Sequence, residues 1–559
     1  MSKIKDQIAE IIIKAVSDTG YPVKEIFLDK PKEDKFGDLS SNAAMTLAKE
    51  LKLPPRKIAE EILSRIETGN DLITKTEIAG AGFINIFVSD KCYKDELKNI
   101  LSEGINYGRS SIHSGQSANL EWVSANPTGP LHTGHGRQLC LGKAIANLLE
   151  WTGYKVTREY YYNDAGNQMN NLALSVRARY LQIFEKDFPF PEDGYVGDYV
   201  KIIAENIFAT YNDKMKDFAD LDFFKKEGEK YTFDLIKKTL TGLGIHHDIF
   251  FNESSLYDNS EIEQTLEAFK SKGLSYENDG AVWLKLDEVK GFEKDKVLVK
   301  SSGEPTYRLP DIAYHIDKIK RGYDLIIDIF GSDHGDTYKE VLYGVSALGY
   351  DSDKIKVIIH QMVTFKMGNE SVKMSKRSDN VYYLDELIND IGADAMQFFY
   401  VMRGANTHLD FDISLAKDKS EKNPVYYLQY AHARICGILR NADEVFPSYN
   451  ETNVTELNTD VINSPEEMKL LKVLSDFPDE VISSAKTFEP HKIITYLNSV
   501  AESFHRFYHN NRVIDAENKE LSLSRIHICL AVKRILKNGF DIIGISALTE
   551  CKKGRIHLP

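Results

Sequence analysis

The chain has 559 residues and a formal net charge of -14, from 70 basic and 84 acidic side chains. Its composition, 42% hydrophobic and 28% charged, is typical of globular proteins and excludes an intrinsically disordered chain. At about 150 residues per domain, the length predicts three or four domains. The acidic balance argues against non-specific coating of nucleic acid, which needs a broadly basic surface.

Neither a membrane segment nor a secretory signal is predicted. No apolar run approaches the roughly 20 residues that cross a bilayer, and acidic residues interrupt the apolar pattern of the N-terminus. The five cysteines are odd in number and lack close CxxC spacing, so we expect no disulfide framework and no structural zinc site. These features predict a protein of the reducing cytoplasm with no membrane partner.

The first predicted domain covers residues 1–115. It opens with an amphipathic helix, in which apolar residues recur at helical spacing over residues 4–15. A second amphipathic helix follows Pro54-Pro55, and residues 83–88 alternate like an edge or surface strand. This segment therefore predicts a small α+β domain.

The second predicted domain covers residues 116–410. It opens with a strand, a turn rich in proline and glycine, a helix from about His135 and a strand over residues 155–162. This order is the first βαβ unit of a doubly wound sheet, and the pattern resumes at residues 324–330. Residues of about 165–300 resemble a helical insertion. We predict an α/β doubly wound, Rossmann-like domain that the insertion splits.

The third predicted domain covers residues 411–559. Helical patterns dominate it and strand signals are sparse. Asn423-Pro424 marks the start of one helix, and Pro465 lies at the opening of another. The chain is thus predicted to be multidomain, with an all-α C-terminal part.

The first candidate site is Pro130-Leu131-His132-Thr133-Gly134-His135, where a loop after a strand enters a helix. A helix N-terminus offers unpaired backbone N–H groups and a partial positive charge, which suit a phosphate. Glycine lets the backbone approach the phosphate closely, and the two imidazoles can donate hydrogen bonds to it. Two alternatives remain at this point: metal ligation, which lacks the carboxylate of an HExxH pattern, and a loop with two exposed histidines.

A second candidate site lies far downstream, in a loop of about residues 372–378 that contains Lys373-Met374-Ser375-Lys376. Two lysines three residues apart suit a mobile loop that clamps a triphosphate, because ammonium groups neutralise charge on transferring phosphates. A solvated basic turn is the more common explanation of such a motif alone. Its combination with the HxGH sequence near the start of a nucleotide fold is much more specific.

The two motifs together resemble those of a known enzyme family. HTGH resembles the HIGH motif of class I aminoacyl-tRNA synthetases, and KMSKR resembles their KMSKS motif. The longer segments 121–137, 158–168 and 423–434 are similar to arginyl-tRNA synthetases in particular, and Phe36-Gly37-Asp38 fits the added tRNA-contacting domain of that family. The resemblance runs from about residue 3 to the C-terminus, and the motif histidines and lysines are intact.

The resemblance implies ATP-dependent ligation of L-arginine to tRNA(Arg) through an arginyl-adenylate, with release of AMP and pyrophosphate. ATP would enter as its Mg²⁺ complex, and neither a permanently bound cofactor nor a protein metal site is expected. A monomer is the family-level expectation. Two other functions remain open: a binding or regulatory protein that has lost activation, and a small nucleotidyltransferase, which does not explain the flanking domains.

The resemblance also assigns residues to roles. The HIGH-type motif corresponds to Ala125, Asn126, Pro127, Thr128, Gly129, Pro130, Leu131, His132, Thr133, Gly134 and His135. Catalysis is assigned to His132, His135, Lys373 and Lys376. ATP binding is assigned to Pro130, Gly134, Gly331, Asp333, His334, Met374 and Ser375.

Recognition of arginine needs carboxylates, because its guanidinium group presents five donors in a planar fork. Tyr307 and Asp311 are four residues apart, on one face of a predicted helix. By similarity to the family these two hold the side chain, and Glu121, Ser124 and Asn126 contact the rest of the amino acid. The alternative for Asp311 is a helix cap next to a proline.

An aromatic stripe at the start of the third domain is the predicted tRNA contact. By their chemistry, Tyr426, Tyr427 and Tyr430 can stack on unpaired anticodon bases while Arg434 meets phosphates. The alternative is that at least one of these tyrosines packs in the core, which is the more common role of such a stripe.

Overall fold

The fold is taken from a computed structural model, which describes residues 3–550 except 24, 165, 219, 287–288, 290, 369, 373–381 and 448–456. The side chains of residues 34, 334 and 370–372 also lie outside the described part. The chain forms three domains in the predicted order, so the predicted multidomain fold class is confirmed.

The N-terminal domain is a four-stranded antiparallel sheet covered by helices. Its elements are α1 Lys3–Asp18, β1 Leu28–Asp29, β2 Leu39–Ser41, α2 Ala43–Leu51, α3 Pro55–Leu63, β3 Ile73–Ala79, β4 Phe83–Val88 and α4 Asp90–Glu103. The strand order is β1-β2-β4-β3, so β4 is an inner, largely buried strand, and the prediction of an edge or surface strand was wrong. Three consecutive residues of β4, Ile84–Ile86, are buried, so the alternation of residue types in the sequence does not mark an exposed face.

The second domain is built on a five-stranded parallel sheet with the order β12-β11-β5-β6-β7. The strands are β5 Ser117–Glu121, β6 Lys155–Tyr162, β7 Ile249–Asn252, β11 Leu325–Gly331 and β12 Ile355–His360. The helices that cross over beside them are α5 Thr133–Trp151, α11 Arg308–Lys320 and α12 Thr337–Ala347. This is the order of a doubly wound sheet, with its reversal between β5 and β11.

The segment predicted as a helical insertion is only partly helical. Its helices are α6 Gly166–Leu181, α7 Asp198–Tyr211, α8 Leu221–Gly242, α9 Ser254–Asp258 and α10 Glu261–Ser271. It also contains β7 and an antiparallel sheet of β8 Ser275–Asn278, β9 Ala281–Leu284 and β10 Lys296–Val299. These strands have four residues each, too few for a period of two to stand out from the neighbouring helical pattern.

A small sheet links the second domain to the third. It comprises β13 Val363–Met367, β14 Glu370–Val372 and β15 Leu409–Asp412, and between β14 and β15 lie α13 Leu384–Ile391 and α14 Ala393–Val401. The predicted boundary at residues 410/411 falls inside β15, which pairs in parallel with β13. The short helix α15 Ile413–Lys417 then leads out of this sheet.

The C-terminal domain is helical, as predicted. Its helices are α16 Pro424–Val445, α17 Pro465–Leu474, α18 Phe477–Thr487, α19 His491–Asn510 and α20 Lys519–Ile543. Helix α20 packs against α16 and α19, and also against α4 and α5 of the other two domains. One continuous hydrophobic core therefore joins all three domains. Across the part of the chain that the structure describes, no helix combines the length and apolar character needed to span a bilayer.

Candidate active site

A cleft of about 750 Å³ opens at the carboxyl edge of the parallel sheet. Its lining includes Glu121 at the end of β5 and Gly331 at the end of β11, the two strands between which the order reverses. Neighbouring loops run in opposite directions from such a point, which leaves a crevice where doubly wound sheets bind ligands. The topology alone therefore places the candidate site here.

Two histidines frame the start of helix α5 in this cleft. His132 is the N-cap: its Nδ1 accepts a hydrogen bond from the Gly134 backbone N–H at 3.1 Å, and Nδ1 of His135 accepts one from the His132 N–H at 3.2 Å. The rings stack with centroids 3.9 Å apart. Because both Nδ1 atoms are acceptors, each neutral ring carries its proton on Nε2. A Cβ at Gly134 would lie 2.8 Å from the His132 ring, so glycine keeps this geometry possible.

Helices α7 and α8 of the inserted segment hold the loop that carries these histidines. The hydroxyl of Tyr199 on α7 donates to the Thr128 carbonyl at 2.8 Å, and Thr232 on α8 donates to the Pro127 carbonyl. On the other side, the Leu384 backbone N–H donates to the Leu131 carbonyl at 2.9 Å. The loop is thereby fixed from both the inserted helices and the start of α13.

The chain leaves β5 through a strained turn. Val123 and Ser124 have φ values of 75° and 44°, in the left-handed region that β-branched residues rarely adopt. The Ser124 hydroxyl donates to Glu121 at 2.8 Å and accepts from the Tyr161 backbone N–H at 3.2 Å. The turn thus folds Ser124 back over its own strand and fixes one oxygen of the Glu121 carboxylate.

Three carboxylates line one part of the cleft: Glu121, Asp311 and Glu253. Burial raises the pKa of Asp311 to about 7, with further upward contributions from Glu121 and Glu253. Burial also raises the pKa of Glu253, which accepts a hydrogen bond from the Tyr161 hydroxyl. Within the described residues, Asp311 and Glu253 have no ion pair, so this part of the cleft is suited to a cation.

Helix α11 supplies two of the predicted residues together. Its N-cap is Tyr307, whose side chain is 49% exposed, and the Asp311 backbone N–H donates to the Tyr307 carbonyl at 3.1 Å. Asp311 is therefore inside the first turn and is not the helix cap, so that alternative was wrong. The predicted i,i+4 relation on one helix face holds, and both side chains line the cleft.

Comparison with known protein families decides between the open functions. The model "tRNA synthetases class I (R), catalytic domain" matches residues 96–406. The arginine–tRNA ligase of Prosthecochloris aestuarii is 46% identical over 533 residues, covering 94% of this chain and 96% of that protein. The chain belongs to the arginyl-tRNA synthetase family. The resemblance inferred from its motifs is confirmed.

Two further domain models match the parts of the chain on either side of the catalytic domain, in agreement with its division into three domains. The arginyl-tRNA synthetase N-terminal domain model matches residues 2–88, and the DALR anticodon binding domain model matches residues 428–550. The arginine–tRNA ligase of Chlorobaculum tepidum is 45% identical over 94% of this chain and 96% of its own length. The fold is similar to that of Thermus thermophilus arginyl-tRNA synthetase, with a TM-score of 0.76 at 19% identity, covering 98% of this chain and 100% of that one.

The five residues predicted to bind arginine all line the cleft: Glu121, Ser124, Asn126, Tyr307 and Asp311. Asn126 uses both ends of its amide, because Oδ1 accepts from the Asn163 N–H at 3.1 Å and Nδ2 donates to Gln168 at 2.9 Å. The structure thus brings these residues together, and their assignment to arginine remains a prediction.

The residues predicted to bind ATP divide into three groups. Gly134, Gly331 and Asp333 line the cleft, whereas Pro130 does not. His334 belongs to the short 3₁₀ turn after β11, and its side chain lies outside the described part. The KMSK-type residues also lie outside the described residues; they are Lys373, Met374, Ser375 and Lys376.

The predicted tRNA contacts on α16 are only partly grouped. Tyr426 and Tyr430 are half-buried and stack with ring centroids 6.3 Å apart. Arg434 instead lies over the Tyr508 ring of α19, at 4.4 Å from its centroid. The tyrosines form a pair, as their spacing predicted, and the contact with tRNA remains a prediction for all three residues.

Several cleft residues escaped sequence reasoning. Glu253 follows β7 directly, and Tyr161 and Tyr314 form an aromatic wall beside it, with centroids 4.7 Å apart. Glu253 could have been found from its position after the apolar run Ile249–Phe251, had that run been recognised as a strand of the sheet. Among the described residues, no group of three or more His, Cys, Asp or Glu side chains is arranged to hold a metal ion.

Proposed function

We propose that this chain ligates L-arginine to tRNA(Arg) through an arginyl-adenylate formed in the cleft. Its family membership supports the ATP-dependent charging of tRNA(Arg) with arginine. The main structural support is that one cleft contains two different binding surfaces. One surface has three carboxylates, and the other is the N-terminus of α5 with its two histidines. The first surface suits a guanidinium group, and the second suits a phosphate.

In the first step, the carboxylate of arginine attacks the α-phosphate of ATP, and the bond to the pyrophosphate leaving group breaks. Nε2 of His132 and of His135 donates hydrogen bonds to the phosphate oxygens, and Lys373 and Lys376 neutralise the charge on departing pyrophosphate. No covalent bond to the protein is required. Catalysis consists of positioning the two substrates and stabilising the charge that develops.

Arginine is selected by its charged end. Asp311 accepts hydrogen bonds from the guanidinium group beside Tyr307, while Glu121, Ser124 and Asn126 contact the remainder of the amino acid. The support is that Asp311 is a largely buried carboxylate without an ion pair in the described structure, beside the acidic Glu121 and Glu253. A bound cation would relieve that unfavourable burial.

In the second step, a hydroxyl of the terminal ribose of the tRNA attacks the acyl carbon, and AMP leaves. The C-terminal helical domain binds the anticodon stem-loop, with Tyr426, Tyr430 and Arg434 as contacts. The match to an anticodon-binding domain over residues 428–550 supports this role. The N-terminal domain, which carries Phe36-Gly37-Asp38, contacts the tRNA elsewhere.

ATP enters as its Mg²⁺ complex, in which phosphate oxygens and waters hold the ion. The reaction then needs no permanently bound cofactor, because ATP supplies the activating group and the two attacking nucleophiles belong to the substrates. The protein acts in the cytoplasm as a monomer that encounters its three substrates: L-arginine, ATP and tRNA(Arg).

The overall function is tested by ATP–pyrophosphate exchange with each amino acid in turn, with and without tRNA(Arg). Exchange that depends on arginine is expected, in at least one of the two conditions, together with transfer of labelled arginine to tRNA. A binding protein that has lost activation would show neither. A nucleotidyltransferase of another kind would show exchange that does not depend on arginine.

The role of Lys376 is tested by Lys376→Ala. We expect the rate of adenylate formation to fall about 10²–10³-fold, because one lost electrostatic contact to a developing charge costs roughly 3–4 kcal/mol. Arginine binding, measured by calorimetry, should be nearly unchanged, since this charge acts only as pyrophosphate departs. A single-turnover rate equal to that of the unaltered protein would remove Lys376 from the mechanism.

A further inference from the structure

Helix α11 contains a lysine that is buried completely beneath the cleft. Lys318 has an exposed fraction of 0% and contacts side chains of both β5 and β11. Its ammonium group forms ion pairs with Glu121 and, at 2.6 Å, with Asp328. It also lies 4.3 Å from the centroid of the Tyr314 ring. An ammonium group is retained in such a place only with charged partners, because burial of an isolated ion is very unfavourable.

The partner Asp328 is shared with a histidine. Nε2 of His315 lies 3.0 Å from Asp328, and Nδ1 lies 2.6 Å from the Asp311 carbonyl. Both ring nitrogens therefore face acceptors, so His315 carries two protons and a positive charge. Burial opposes this charge, but the Asp328 carboxylate outweighs it and raises the pKa of His315. We call Lys318, Asp328 and His315 the buried ion cluster.

The buried ion cluster holds one oxygen of the Glu121 carboxylate. One Glu121 oxygen accepts from Lys318, and the other accepts from Ser124 at 2.8 Å. Glu121 is itself only 3% exposed, yet it lines the cleft. With both oxygens occupied by donors, the carboxylate is held in one orientation.

We propose that Lys318 is a positioning residue for recognition of the amino-acid substrate: it fixes the orientation of the Glu121 carboxylate and does not touch the substrate. The two positive charges of the ion cluster offset Glu121 and Asp328. Asp311 and Glu253 then bear the uncompensated negative charge that receives the cation. This inference rests on the proposed arginine site.

The test uses a neutral replacement of the ion pair, Lys318→Gln with Asp328→Asn, because Lys318→Gln alone would leave two buried carboxylates together. In arginine-dependent exchange or charging, we expect the KM for arginine to rise by about tenfold or more, the size of one lost charge-assisted contact. The KM for ATP should stay within about twofold of the value for the unaltered protein. The variant should also still unfold in one cooperative melting transition. An arginine KM equal to that of the unaltered protein overturns the proposal.

The matched control is Arg321→Gln with Glu159→Gln. Arg321 follows the end of the same helix and binds Glu159 at 2.8 and 2.9 Å. Glu159 pairs with Glu121 between β6 and β5, but in the described structure neither Arg321 nor Glu159 shares a side-chain hydrogen bond with Glu121. This control should leave the arginine KM within about twofold to threefold of the unaltered protein. An equal rise in arginine KM in control and test would show general loosening of α11 and would also overturn the proposal.

A double-mutant cycle shows whether the effect of Lys318 is exerted through Glu121 or through a structural change elsewhere. If Lys318 acts through Glu121, then adding the Lys318→Gln/Asp328→Asn pair to Glu121→Gln should raise the arginine KM little further. Multiplying effects would show that Lys318 acts elsewhere and would refute the positioning role. Charging of tRNA with arginine by the unaltered protein tests the proposed function separately, so the failure of one inference is distinguishable from failure of the other.

Discussion

Asp311 is the residue at which selectivity and stability oppose each other. We expect Asp311→Asn to lower the ratio of kcat/KM for arginine to that for citrulline by about tenfold or more, because a charge-assisted hydrogen bond contributes roughly 1.5–3 kcal/mol. Citrulline keeps the planar end group but lacks its charge. The measurement is the charging rate with both substrates. Asp317→Asn, on the same helix but paired with Arg321, is the control.

The same substitution should stabilise the unliganded protein near pH 8. The unfolded carboxyl group ionises near its usual pKa of 3.8, whereas burial raises the folded pKa to about 7. Above pH 7 the folded state therefore holds an unfavourable charge, and Asn removes it. A higher melting temperature with lower selectivity supports a binding role for Asp311. A lower melting temperature with unchanged selectivity would contradict it.

Arginine affinity should depend on pH through the same group. With the pKa of free Asp311 at about 7, arginine must displace a proton below that pH, because the guanidinium group binds the ionised carboxylate. We expect the Kd to rise as pH falls from 8 to 5.5, by up to about tenfold per pH unit below 7. Calorimetry in buffers of different ionisation enthalpy would detect the released proton. The dependence should be much weaker in Asp311→Asn.

Among the elements, the inserted helices α7 and α8 act as supports for the HIGH-type loop. Replacing the two supporting hydroxyls by Tyr199→Phe and Thr232→Val should lower kcat/KM for ATP by about tenfold, since each lost hydrogen bond costs about 0.5–1.5 kcal/mol. The helices themselves should remain folded, because their cores are apolar. Circular dichroism and ATP kinetics provide the measurement.

The control for this pair is Thr210→Val on α7, whose hydroxyl bonds only to the Asn206 carbonyl of its own helix among the described contacts. ATP kinetics of the control should match those of the unaltered protein. Unchanged kinetics in the double variant would show that α7 and α8 do not position the loop.

The sequence predicted the site residues that lie within one motif or one helical turn. It did not predict those that depend on contacts between distant segments of the chain. His132 and Asp311 were found because their motifs are contiguous or one helical turn apart. Glu253 and Lys318 were not, because their roles depend on which strands become neighbours in the sheet. From the sequence, Lys318 is expected to be a solvated lysine of an amphipathic helix. Its burial follows only from the pairing of β5 with β11.

For the whole molecule, the shared core has a consequence for truncation. A chain ending at residue 415 would lose α16–α20, and α20 packs on both α4 and α5. The Asn538 amide on α20 also donates to the Tyr107 carbonyl at 3.0 Å, far across the sequence. We therefore expect such a truncated chain to aggregate instead of forming a folded enzyme that lacks only tRNA binding. Size-exclusion chromatography and circular dichroism are the measurement, and a folded monomer would contradict the expectation.

A less disruptive test separates domain docking from folding. The Lys472 ammonium group bonds Asp38 of the N-terminal domain at 2.7 Å, and Lys5 bonds Asp479 at 3.1 Å. Because these pairs are peripheral to the apolar core, Lys472→Gln should cost no more than about 1 kcal/mol. Strong unfolding by this substitution would show that ion pairs, and not the core, hold the domains together.

The strand order also determines how the protein emerges from the ribosome. Strand β5 needs β11 on one side, and β11 begins at residue 325, about 200 residues after β5 ends at Glu121. At roughly 5–20 residues per second, the edge of β5 stays without its partner for on the order of 10–40 seconds during synthesis. An unpaired strand edge invites pairing with other chains. The pairing of β5 with β11, which builds the cleft, therefore leaves a strand edge exposed during synthesis. Nascent chains that lie close together can associate through this edge.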